Sequence, residues 1–317
     1  MTHPSSPDAP APAPEPPTLP QQAGALARDI KLSHTVFALP FALLGMALAA
    51  AWAQRYPSAS EVVLILICMF TARTFAMGVN RLADAKLDAQ NPRTAGRALP
   101  GGRVRRGFVI ATIVSNALGF VAACAGFWWL RSNPCPLTWS PFVLGVLALY
   151  SFTKRFTWLC HLFLGFALAI SPVAAALAIE PRFVETVPTA WLLAGMVLCW
   201  VAGFDVIYAL QDVGIDRELG LFSMPASLGP EPALWISRGL HIVCLGCLAS
   251  ATWISPLLGM WFAVAVVITA ALLIVEHALV WRSSTNRIHV AFFTVNGVIS
   301  LLLGAAGILD ATLTRGS

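Results

Sequence analysis

Long, nearly unbroken apolar runs constrain this chain more than any motif does. Leu159–Ile179, Thr189–Leu210 and Leu257–Trp281 are three of them. A bilayer core about 30 Å thick is crossed by roughly 20 apolar residues in a helix. A membrane barrel would instead show alternating strands of about ten residues, and these runs do not alternate. Composition agrees: 58% of residues are hydrophobic and 11% charged, with mean hydropathy +0.76, whereas soluble domains carry about 25% charged residues. The chain is expected to be an all-α polytopic membrane protein with about nine spans. They fall near 34–53, 61–80, 108–130, 139–152, 159–179, 189–210, 233–254, 257–281 and 290–313.

Residues 1–22 are rich in Pro, Ala and Ser. Such a tract lacks apolar residues to fold around and is expected to be a disordered tail before a membrane domain over 23–317. No basic segment precedes a short apolar core, so it does not have the form of a signal peptide. Gly24–Ser33 mixes Arg28, Asp29 and Lys31 with apolar residues and is expected to lie along the membrane surface. The seven cysteines are scattered, and Cys244-x-x-Cys247 lies in an apolar run, which points to packing rather than metal or redox chemistry.

Orientation follows from Lys and Arg in the loops. Arg28, Lys31, Arg81, Lys86, Arg93, Arg97, Arg103, Arg105, Arg106, Lys154, Arg155, Arg217, Arg282 and Arg287 fall on one side, against Arg55, Arg131, Arg182 and Arg315 on the other. The first side is expected to be cytoplasmic, in the inner membrane, with the amino terminus on it.

The second span runs into Asn80-x-x-x-Asp84-x-x-x-Asp88. Residues four apart share a helix face, so an amide and two carboxylates line up. Oxygen ligands without Cys or His suit a hard cation such as Mg²⁺, which favours a few carboxylates plus substrate phosphates. The loop that follows, Asn91–Arg103, is basic and turn-rich. Together they read as a site for a Mg²⁺-bound phosphate ester. The sixth span ends in a similar design: Asp205-x-x-Tyr208-x-x-Gln211-Asp212-x-x-x-Asp216, then a Gly- and Pro-bearing turn. If the two ends face each other, their oxygens surround one cavity able to hold a diphosphate. A single pair of aspartates at a helix end is usually just a solvated boundary, but two copies on the basic side are not.

Tyr150-Ser151-x-x-Lys154-Arg155 ends the fourth span on that side, where Lys154 and Arg155 are placed to grip diphosphate oxygens or simply to anchor the helix. Arg73, two turns before Asn80, needs an anion: a site carboxylate or an acidic substrate. Glu276 and His277 either tune a proton transfer or pair with each other.

These motifs, with Asn91-Pro92-Arg93-Thr94, resemble the UbiA superfamily of intramembrane aromatic prenyltransferases, over nearly the whole chain after the tail. Their wording is similar to the 4-hydroxybenzoate polyprenyltransferase branch and its relatives in menaquinone synthesis; Ile30–Pro40 and Glu276-His277 also fit that branch. Arg81 departs from the Asp that commonly follows the first Asn. The resemblance implies nine helices ringing a cavity in which both aspartate motifs bind Mg²⁺ and a polyprenyl diphosphate. On that basis Asn80, Asp84, Asp88, Asp212 and Asp216 would hold the metal. Lys154, Arg155 and Arg97 would stabilise departing pyrophosphate, and Tyr150, Tyr208 and Phe75 are candidate aromatic neighbours of an allylic cation. Lys31 or Arg73 would meet the carboxylate of the aromatic acceptor, and Asp205 and Tyr208 extend the substrate-binding face. The acceptor would be 4-hydroxybenzoate or, alternatively, a dihydroxynaphthoate, and the prenyl tail would lie among membrane lipid. No nucleic-acid partner is expected. A cation-coupled secondary transporter is the rival of another class, but it would hold its carboxylates near the midplane.

Overall fold

The computed structural model describes residues 17–30, 37–281 and 291–314. Lys31, most of the expected tail, and Arg282, Arg287 and Arg315 of the charge count lie outside the described residues. The described chain is all helical: α1 (Leu19–Ile30), α2 (Leu39–Trp52), α3 (Ala59–Gln90), α4 (Arg106–Arg131), α5 (Cys135–Thr153), α6 (Cys160–Ile179), α7 (Pro181–Thr186), α8 (Thr189–Ala209), α9 (Val213–Glu218), α10 (Met224–Leu228), α11 (Pro230–Ile254), α12 (Met260–Trp281) and α13 (Asn296–Leu313). Eight of the helical segments are long and apolar enough to cross a membrane, and α2 is a shorter apolar ninth. A π-helical turn, Ala291–Val295, leads into α13.

Each expected span finds its helix, with shifts of a few residues at the ends. The tail boundary moves: Leu19–Gln22 already belong to α1. Alpha1 does not lie free on a surface along its apolar side. Ala25, Leu26 and Ile30 pack with Ala98, Val104 and Val109, against the loop that follows α3.

Neighbouring helices follow chain order from α3 through α4, α5, α6, α8, α11, α12 and α13, and α2 sits between α13 and α6. Alpha2 is apolar on all sides and nearly all of it is buried, as expected of a helix enclosed by others. Small residues set its spacing: a Cβ on Gly45 would fall 2.2 Å from the Pro172 carbonyl oxygen of α6. Gly165 does the same between α6 and α8, where a Cβ would fall 2.3 Å from the Leu198 carbonyl oxygen. Lipid tails are as apolar as side chains, so close backbone approach rather than burial from water drives such packing. Trp200 anchors the core beside Phe41, with ring centroids 5.5 Å apart, and its indole N–H donates to Asn296 Oδ1 at 2.6 Å.

Alpha3 positions the first acidic row. Ser58 and Glu61 form a capping box at its start. Its 32 residues span about 48 Å at 1.5 Å per residue, well beyond a hydrocarbon core of about 30 Å. The turns carrying Asn80, Asp84 and Asp88 therefore project past the apolar layer.

Candidate active site

The two acidic rows meet. Asn80, Asp84 and Asp88 of α3, Asp212 and Asp216, and Arg93, Arg97 and Lys154 line one polar cavity. The second row is not one continuous helix: a 3₁₀ turn, Leu210–Asp212, separates α8 from α9 and carries Asp212, while Asp216 lies in α9. The four-residue spacing survives that break well enough for both carboxylates to share the cavity.

A cation attends nearly every carboxylate. Asp84, 2% exposed, accepts from Asn80 Nδ2 at 3.1 Å and Arg155 Nη2 at 3.0 Å, with Lys154 Nζ at 3.2 Å. Asp88 receives Arg97 Nη1 on both oxygens, at 2.7 and 2.8 Å, and Arg81 lies 3.5 Å away on the same helix. Asp212 pairs with Arg93 through Nε at 3.0 Å and through a second bond from Nη2, and Asn91 Nδ2 donates at 3.4 Å. Asp216 instead accepts from Ser223 Oγ at 2.8 Å. Burial works against the Arg93 charge, but the hydrogen bond and charge of Asp212, with Tyr208 beside it, outweigh this and raise its pKa further.

The loop after α3 is shaped to deliver these cations. Asn91 ends the helix in extended backbone, and its Oδ1 accepts from Arg93 N–H at 2.9 Å, turning the chain at once. Thr94 Oγ1 donates back to the Asp88 carbonyl at 3.1 Å. From α1, Asp29 Oδ2 accepts from Ala98 N–H at 2.7 Å. Arg93 bridges the rows: it holds Asp212 and donates to Tyr208 Oη at 3.2 Å.

Beside this cavity lies a second, apolar chamber with about 1220 Å³ of empty space. Its walls include Met69, Arg73 and Met77 of α3, Phe120 and Phe127 of α4, Tyr150 of α5 and Ala174 of α6. The same two helices carry both spaces. Arg73 and Met77 face the chamber, and Asn80 and Asp84, one turn on, face the polar cavity. Tyr150 and Lys154 of α5 divide in the same way.

Asn80, Asp84, Asp88, Arg97, Lys154, Asp212 and Asp216 are thus brought together, with Arg155 reaching in through Asp84. Tyr150 and Arg73 sit at the chamber side, where Arg73 Nη2 donates to the Ile30 carbonyl at 3.5 Å. Tyr208 joins through Arg93. Asp205 is not among the residues lining the cavity: it binds the imidazole of His161 at 2.6 Å. Its place on the same helical face as Asp212 is lost at the 3₁₀ turn. Glu276 also stands elsewhere. It is fully buried and accepts from Asn296 Nδ2 at 2.6 Å, while His277 Nε2 meets His241 Nδ1 at 3.0 Å, so neither of the two pairs with the other. In the sequence Arg93 and Ser223 stand out only as members of turn-rich segments, and His161 does not stand out at all. The Asn-Pro-Arg-Thr wording was the available signal for Arg93; no local pattern marks the other two.

The donor set suits Mg²⁺: amide and carboxylate oxygens from two helices around one cavity, with no sulfur or imidazole among them. Among the described residues no three His, Cys, Asp or Glu side chains come close enough to hold a metal by themselves.

The solved structure of a UbiA homologue from Aeropyrum pernix is 31% identical, with TM-score 0.77 over 88% of this chain and 98% of its own. A homologue from Archaeoglobus fulgidus, bound to GPP and Mg²⁺, shares the fold at 17% identity, with TM-score 0.70 over 91% of this chain and 99% of its own. A 4-hydroxybenzoate octaprenyltransferase of Nitrosomonas europaea is 30% identical over 267 residues, 83% of this chain and 86% of its own. With the sequence profile of the UbiA prenyltransferase family matching residues 38–298, the chain belongs to that family and is a membrane prenyltransferase of the 4-hydroxybenzoate octaprenyltransferase-like kind.

Proposed function

We propose that the protein transfers a polyprenyl group from a polyprenyl diphosphate to the ring of 4-hydroxybenzoate, with Mg²⁺ in the acidic cavity. One observation carries this reading: a polar cavity lined by two acidic rows adjoins an apolar chamber, with α3 and the end of α5 running from one into the other. A diphosphate joined to a hydrocarbon chain needs such a pair of spaces. Bound between Asn80, Asp84, Asp212 and Asp216, Mg²⁺ would neutralise diphosphate charge. Lys154, Arg155, Arg97 and Arg93 now rest on carboxylates and are within reach of phosphate oxygens. Charge-assisted bonds from these groups strengthen as the leaving group gains charge. Tyr150 and the apolar chamber wall exclude water around the allylic carbon, and an aromatic face there favours a developing cation by about 0.5–2 kcal/mol. Arg73, beside Tyr150, is placed to take the acceptor carboxylate. The bias of cations toward the acidic end supports a cytoplasmic position for that end, where a soluble acceptor would meet it.

The test uses purified protein in lipid, a set of prenyl diphosphates, and 4-hydroxybenzoate offered in competition with dihydroxynaphthoates, with products read by mass spectrometry. Prenylated 4-hydroxybenzoate as the main product is expected. A naphthoate product would reassign the acceptor, and no prenylated product at all, or transfer unaffected by Asp84→Ala, would overturn the proposal.

A further inference from the structure

Two very short helices carry half of the acidic site's return path. Alpha9 has six residues and α10 has five. Isolated helices this short do not hold themselves in water, so their placement must come from outside. Three hydrogen bonds converge on residues 222–224, two from outside the short helices and one between them. Phe222 N–H donates to the Lys154 carbonyl at 2.7 Å. Ser223 Oγ donates to Asp216 Oδ2 at 2.8 Å. Met224 N–H donates to His161 Nε2 at 3.2 Å.

His161 is 3% exposed in the first turn of α6. Since Nε2 accepts a backbone N–H, it carries no proton, and the ring proton sits on Nδ1. Nδ1–H then donates to Asp205 Oδ2 of α8 at 2.6 Å. One imidazole therefore joins three elements: α6, α8 and α10. It also accounts for Asp205, a carboxylate whose fixed partner orients the ring as second partners orient metal-bound histidines.

We propose that His161 is a positioning residue for the second acidic row. Held by Asp205, it pins the Met224 amide, which fixes Ser223 on Asp216 and Phe222 on the Lys154 backbone. The row and its cation are thereby held at the cavity together. This rests on the acidic cavity being the site of the metal and diphosphate.

The test compares His161→Leu, His161→Gln and Asp205→Leu with the unsubstituted protein in lipid nanodiscs. Three quantities are read: amide hydrogen exchange over residues 219–228, Mn²⁺ affinity by electron paramagnetic resonance in the presence of inorganic pyrophosphate, and KM against kcat for prenyl transfer. In His161→Leu and Asp205→Leu, exchange over 219–228 should rise while the rest of the bundle stays protected. Mn²⁺ affinity should fall about tenfold, the range seen when outer partners of a site are removed. KM for the diphosphate should rise more than kcat falls. His161→Gln can still accept from the Met224 amide and should recover much of the protection. Unchanged exchange over 219–228 in both leucine variants would overturn the proposal; so would raised exchange with undiminished Mn²⁺ affinity. If His161→Leu does not fold, Asp205→Leu and His161→Gln decide it by the same readings. Asp212→Asn serves as the control on the site itself. If it leaves Mn²⁺ binding intact, the assignment of the cavity fails, while the exchange result still judges His161.

Discussion

The two ends of α3 each bury a carboxylate under two cations, but only one of the two carboxylates lines the polar cavity. At the far end Glu61, 1% exposed, takes Arg55 on both oxygens at 2.8 Å and Arg131 at 3.0 Å. It also accepts from Ser58 N–H at 2.7 Å, and Arg55 donates to the Ile179 carbonyl at 3.1 Å. Every oxygen there is spoken for by groups that tie α2, α3, α4 and α6 together. At the near end Asp84 takes Lys154 and Arg155, but it faces a cavity. The same ion pairing is a clamp where it closes on itself and a site where it borders empty polar space. Burial and charge alone do not separate the two; the cavity does.

The sharpest way to break the comparison is to remove one carboxylate at each end. Asp84→Ala or Asp212→Ala should lower transfer at saturating Mg²⁺ by about 100-fold or more, the scale of losing one group that stabilises transition-state charge. Product formation per folded molecule, by mass spectrometry, checks this. Activity within a few-fold of normal would make the near end a second clamp.

Next in size are the cations. Lys154→Ala and Arg155→Ala should each lower kcat/KM by about tenfold, since a charge-assisted bond contributes roughly 1.5–3 kcal/mol and a neighbour remains in place. The matching change at the far end, Arg131→Ala, should leave kcat/KM where it was. If Arg131→Ala and Lys154→Ala reduce turnover alike, the two ends are coupled and the distinction between clamp and site dissolves.

Glu61→Gln sharpens the comparison from the other side. It should destabilise the bundle by about 2 kcal/mol, less than a fully enclosed pair would lose, because Arg55 and Arg131 are 33% and 38% exposed. Thermal unfolding in detergent measures it, and kcat per folded molecule should not move.

Much of this was legible in the sequence, for reasons that also mark its limit. Span count came from the length of apolar runs, since only helices satisfy their backbone inside lipid. Asn80, Asp84 and Asp88 were legible because one unbroken helix keeps residues four apart on one face, and α3 is unbroken through Gln90. Asp205 bonds His161 rather than lining the cavity, and a 3₁₀ turn that ends at Asp212 stands between the two carboxylates. No periodicity announces that turn. Ser223 and Asp216 are close in sequence, but the turn between them carries no helical or strand period that would pair them. His161 was invisible because its partner is distant in the chain: Asp205 lies 44 positions away. The pairing of Glu276 with Asn296 rather than His277 has the same cause. Neighbours in sequence on a helix point to different faces, and the partner comes from α13.

The smallest expected effect concerns the apolar chamber, which runs along α3 from the near end toward the far one. From Met77 to Ile65 its α3 wall runs over thirteen residues, about 18 Å of helix at 1.5 Å rise per residue. Alpha6 runs away from the acidic end, so Ala174 lines the chamber in its deeper part. Ala174→Phe adds a ring to that wall without touching a charged group. If the prenyl chain threads the chamber lengthwise, long donors should lose about five- to tenfold in kcat/KM, at the low end of the roughly 1–3 kcal/mol that small changes in an apolar pocket can impose. Short donors should be used as before, and the ratio of the two is the quantity to measure. An equal loss for all lengths would mean that the chain leaves the chamber sideways before reaching Ala174, and the deep part would then be packing space rather than a substrate path.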